Sequence, residues 1–139
     1  MKPNVLLTIM SLLSVLLFTF HLTDDIVRGW EPGGLSNFVG GSLIMVVWLY
    51  GALVLAERRS GYIITLVGSL LAFGVPILHM KRKGVGIASG IANSSGGYFF
   101  IWTLIALGVT GLFSFILSVR GLWSLPWRRP RKSNNSPTT

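Results

Sequence analysis

Chemistry in this chain must come from few side chains. Its 139 residues include two histidines, four acids and no cysteine. That removes disulfides, thiolate nucleophiles, Cys-ligated zinc and iron–sulfur clusters together. What is left concentrates in His21-Leu22-Thr23-Asp24-Asp25-Ile26-Val27-Arg28. Side chains three and four apart share a face of a helix. If the first helix runs on to Gly29, His21 therefore lies beside the carboxylates of Asp24 and Asp25, and Asp24 also faces Arg28. An imidazole exchanges a proton near neutral pH, and imidazole with carboxylate suits zinc, iron or manganese. The second histidine, His79, closes the third apolar stretch of the chain. The expected catalytic set is His21, Asp24, Asp25 and His79, and the expected ligands of a divalent metal are His21, Asp25 and His79. The bland alternative is an Asp24–Arg28 pair of little worth and two ordinary histidines just outside a membrane span.

A second group follows directly. Lys81, Arg82 and Lys83 precede a run rich in Gly and Ser, and three cations beside flexible backbone suit an anionic lipid headgroup. The glycine spacing is wrong for a dinucleotide fingerprint. Serine-hydrolase elbows, Walker loops and His-Glu-x-x-His helices are absent from the sequence.

The elements that must position these residues are set by hydropathy. Fifty-one per cent of the residues are hydrophobic and 12% charged, far outside soluble composition. Residues 5–22, 38–56, 61–80 and 98–119 contain no Asp, Glu, Lys or Arg, and about 20 apolar helical residues cross a bilayer. None alternates as a barrel strand would, so each is expected to be a transmembrane helix. The fold class is thus an all-α integral membrane bundle of four transmembrane helices. The first span offers no small-x-small cleavage pattern and reads as a retained signal-anchor. An interfacial segment is expected at 120–127 and a disordered basic tail at 128–139, both with their Trp or Arg at headgroup level.

Orientation follows the distribution of Lys and Arg across short loops. Lys2, Arg58, Arg59, Arg120, Arg128, Arg129, Arg131 and Lys132 fall on one side, and Arg28, Lys81, Arg82 and Lys83 on the other. The richer side is cytoplasmic, so both termini are expected there, in a multi-pass protein of the plasma (inner) membrane. Both histidines then share the outer rim.

Packing is expected through small residues that let helices approach, among them Gly51, Gly68, Ala72, Gly108 and Gly111. The short link around Glu57-Arg58-Arg59-Ser60 makes the second and third helices neighbours. Trp48, in mid-span, should face another helix with its N–H bonded to Ser69 or a backbone carbonyl. Pro76 should bend the third helix. Spans without acids or bases argue against a proton-coupled pump or an ion channel.

Two functions are consistent with this pattern. One is a small membrane protein acting by binding, as an assembly or accessory subunit, with the lipid bilayer, a membrane protein or a second copy as partner. The other is a membrane enzyme, metal-assisted, with an outer-face His/Asp site for a lipid or lipid-linked substrate. A pI near 11 reflects membrane-flanking charge, so nucleic acid is not an expected partner.

Overall fold

The computed structural model describes residues 3–29, 34–81 and 95–125. They form four helices: α1, Pro3–Val27; α2, Gly34–Leu53; α3, Arg59–Lys81; and α4, Gly97–Ser124. All four are long and apolar enough to cross a membrane. Only 22 to 39% of each most apolar stretch is buried within the chain. The apolar surface that remains, such as Leu43, Val46, Leu78 and Ile105, faces outward. Trp102 and Trp123 stand exposed near opposite ends of α4, where indoles sit at the two faces of a bilayer.

Three helices meet along seams whose buried positions recur mainly at three-and-four spacing. On α4 the buried positions are Gly97, Phe100, Thr103, Leu104, Leu107, Gly111, Ser114 and Ser118. On α1 they include Leu7, Ser11, Ser14, His21 and Asp25, and on α3 Tyr62, Thr65, Ser69 and Ala72. This is the spacing of helices that pack side chain into hole at shallow crossing angles. α4 has its broadest contacts with α3 and then with α1, while α2 leans against α1 and α3 from outside.

The seams are rich in small and hydroxylic residues, which suit helices in hydrocarbon, where apolar burial gives no reward and close backbone approach supplies the attraction. A Cβ on Gly111 would come within 2.9 Å of the Phe73 nitrogen and 3.2 Å of the Ser69 carbonyl oxygen. Thr65 and Ser118 hydroxyls pair across α3 and α4 at 3.1 Å. Most other hydroxyls donate to carbonyls of their own turn, as Ser14 does to Met10 at 2.9 Å.

Two details depart from the sequence reading. Trp48 is 2% exposed and its ring lies over Gly68, yet its N–H meets no acceptor among the described residues. The missing Cβ of Gly68 admits the ring, and the Ser69 hydroxyl donates to Leu66 in its own turn. The end of α2 is also earlier than the apolar run suggests. Val54 and Leu55 both donate to the Tyr50 carbonyl, Arg58 donates to Leu55, and Glu57 adopts a left-handed φ of 68°. Reversing direction into α3 takes the residues between Leu53 and Arg59 out of helix. α3 runs through Pro76, whose ring packs on Gly108.

At the other end α1 continues past the expected limit to Val27 and closes on Gly29, at φ 68°. Glycine at that position adopts the left-handed turn without a Cβ clash. This extension puts His21, Asp24 and Asp25 on helix. α4 likewise continues through residues 120–124 of the expected interfacial segment. The rest of that segment and the tail at 128–139 lie outside the described residues.

Candidate metal centre

His21 and Asp25 are consecutive seam positions of α1, four residues apart, and His79 ends the seam of α3. The close packing of α1, α3 and α4 brings the three to one rim of the bundle. Asp25 Oδ2 lies 3.6 Å from His21 Nε2 and 3.4 Å from His79 Nε2. One ligand atom from each residue can be chosen so that all lie within 4.8 Å of one another. His21 is 2% and Asp25 5% exposed; His79 is half-buried. The imidazole rings meet edge-on with centroids 4.7 Å apart. Phe100, fully buried on α4, covers both, its ring 4.9 Å from His21 and 5.6 Å from His79.

The tautomer of His79 is set by its own helix. Its Nδ1 lies 2.9 Å from the Val75 carbonyl oxygen. A carbonyl only accepts, so Nδ1 carries the proton. In the neutral ring, Nε2 then turns a lone pair toward the lone pairs of the Asp25 carboxylate. His21 Nδ1 and Nε2 and Asp25 Oδ1 are buried without a hydrogen-bond partner among the described residues. Each such atom costs about 1–3 kcal/mol if it stays unsatisfied. Lone pairs converging in a buried site are stabilised by a cation between them, and a ring N–H held by a backbone carbonyl is the usual support of a metal-binding histidine.

The spacing suits a small ion. Bonds of about 2.0–2.1 Å in a tetrahedral zinc site put neighbouring donors about 3.3–3.4 Å apart. The two Asp25–His distances are close to that edge. Two imidazoles and one carboxylate would supply three donors to such an ion.

Asp24, expected among the site residues, does not join them. Its Oδ2 accepts from Arg28 Nε at 2.8 Å. Arg28 also donates through a terminal nitrogen to the Ser95 carbonyl at 2.9 Å, tying α1 to the residue before the turn into α4. Lys81 ends α3, and its side chain, with Arg82 and Lys83, lies outside the described residues. Phe100 was missed by the sequence reading because nothing local distinguishes it from the other aromatics of its span.

The opposite rim holds a polar group that sequence reasoning also missed. The Tyr62 hydroxyl donates to Asn4 Oδ1, and Asn4 Nδ2 donates to Glu57 Oε1 at 2.9 Å. The one available signal was Glu57 itself, the acid in the shortest link. No family model, curated protein or solved structure matches this chain.

Proposed function

We propose that the protein is a four-helix integral membrane protein that holds one divalent transition metal, of the zinc class, between His21, Asp25 and His79. The observation that carries this reading is the meeting of two Nε2 atoms at one buried carboxylate oxygen, with the His79 ring proton committed to Val75. The excess of Lys and Arg on the other side supports a reading in which this rim lies at the outer face of the plasma (inner) membrane and both termini in the cytoplasm. Of the two functions consistent with the sequence, the geometry favours the metal-assisted site over a purely packing or accessory role. Three protein donors with a fourth position open are the composition of catalytic zinc sites. A divalent ion there would supply Lewis acidity at the membrane surface, where a lipid or lipid-linked group would be the fitting substrate.

Metal content decides it. The full chain, purified in mild detergent and dialysed against zinc, manganese or iron(II), should retain one equivalent, and cobalt(II) should give the strong visible bands of a tetrahedral ion. His21→Gln, Asp25→Asn and His79→Gln should each lower affinity by about 10–100-fold or more. Asp24→Asn, one residue away but bound to Arg28, should stay within about twofold. Failure to retain metal, or equal losses from Asp24→Asn and Asp25→Asn, would leave a proton between the imidazoles and the carboxylate and overturn the proposal.

A further inference from the structure

The rim opposite the histidines contains a cavity of about 610 Å³ lined by Asn4, Glu57, Tyr62, Arg120 and Ser124 together with Leu6, Leu117 and Leu125. That volume lies within the range of small-ligand sites. Its walls carry one acid and one base that are not paired with each other. Glu57 has its Oε1 bound by Asn4, and the Arg120 side chain has no hydrogen bond or ion pair among the described residues. Glu57 is also held in place. Its backbone φ of 68° is uncommon for a residue with a side chain, and the chain Tyr62 to Asn4 to Glu57 fixes the carboxylate through two hydrogen bonds. The held Glu57, in the link between α2 and α3, and Arg120, on α4, thus border one space from two different elements, both exposed.

An anion alone would meet Glu57, and a cation alone would meet Arg120. A ligand that carries both charges satisfies the pair. The leucines along the same walls add an apolar boundary, and the cavity lies where α1 and α3 begin and α4 ends, which is headgroup level if the bundle crosses a bilayer. We propose that this cavity binds a phosphoethanolamine zwitterion, with Glu57 receiving the ammonium and Arg120 the phosphate. The inference rests on the membrane-spanning reading and is independent of the metal.

Native mass spectrometry of the full chain in detergent tests it, after alkaline carbonate extraction has established that the protein stays in membranes. Short-chain phosphatidylethanolamine should be retained about tenfold better than phosphatidylglycerol of the same chain length, the difference expected when one charge-assisted hydrogen bond is lost. Glu57→Gln should erase that preference and Glu57→Lys reverse it toward phosphatidylglycerol. Arg120→Gln should weaken retention of both lipids, and all three variants should keep the parent's metal content and melting midpoint. Competition by soluble glycerophosphoethanolamine would identify a free zwitterion as a sufficient ligand; its failure to compete would identify the lipid. Equal retention of the two lipids, or a preference untouched by Glu57→Gln in a folded variant, would overturn the proposal. Release of the chain by carbonate would instead defeat the membrane reading.

Discussion

Gly68 and Trp48 are paired by the lack of one methyl group. The indole covers Gly68 so closely that a Cβ there would run into the ring carbons, and a rigid ring pinned at 2% exposure has nowhere to retreat. Gly68→Ala should therefore destabilise the bundle by about 1–3 kcal/mol, the usual cost of overpacking. In a Trp48→Ala background the same Gly68→Ala change should cost little, because the ring atoms that a new Cβ would meet are gone. Denaturant titration in detergent micelles measures both, and a neutral Gly68→Ala would show that the ring is not held there. The position of Trp48 in mid-span was legible as a sign of helix contact; the partner was not, because the receiving feature is an absent side chain. Asp24 and Asp25 teach a similar lesson. The sequence shows each within reach of His21, and it also shows Arg28 four residues from Asp24, but which carboxylate turns inward depends on where α3 and α4 lie.

Helix termini, more than helix interiors, assemble the histidine rim. Arg28 at the end of α1 bonds Asp24 behind it and the Ser95 carbonyl ahead of it. Gly96, at φ 80°, passes so near the guanidinium that a Cβ would collide with it. The Gly96 carbonyl in turn accepts from Phe100 at 3.2 Å, starting α4 at the level that lays Phe100 over both imidazoles. Arg28→Ala should thus act on the site without touching it. We expect metal affinity to fall about tenfold or more, in the range of lost supporting contacts, with faster loss to a chelator and faster amide exchange over the first turns of α4. Unchanged exchange there would mean that Arg28 only decorates the surface. The helices themselves were readable from uninterrupted apolar runs, but their inner faces were hard to see, since lipid-facing and partner-facing sides are both apolar. The signal that does exist is the three-and-four recurrence of Ser, Thr, Gly and His, as in Ser11, Ser14, His21 and in Gly97, Gly111, Ser114, Ser118. His79 approaches Asp25 only when those seams are meshed, which no single stretch of sequence specifies.

At the scale of the molecule, the two rims are chemically unlike: one has buried nitrogen and carboxylate donors, the other an acid and a base around an open cavity. Which rim faces the cytoplasm governs what each can meet, and the absence of cysteine makes that measurable without background. His21 is a poor place for a probe because it is 2% exposed. Val27, Leu35 and Tyr98 are 79, 77 and 83% exposed at the histidine rim, and Trp123 is 84% exposed at the other. Single cysteines at the first three positions should react with an impermeant maleimide in intact cells. Cysteine at 123 or at Arg58, in the turn between α2 and α3, should react only after lysis. The excess of Lys and Arg at the Arg58 rim predicts this polarity, since basic residues are retained on the cytoplasmic side. The reverse pattern would turn the histidine site inward and give it cytosolic metal and substrates. Mixed labelling within one rim would contradict the four crossings themselves, because residues 27 and 35 flank one link and the chain returns to that side at residue 98 when α2 and α3 both traverse the bilayer.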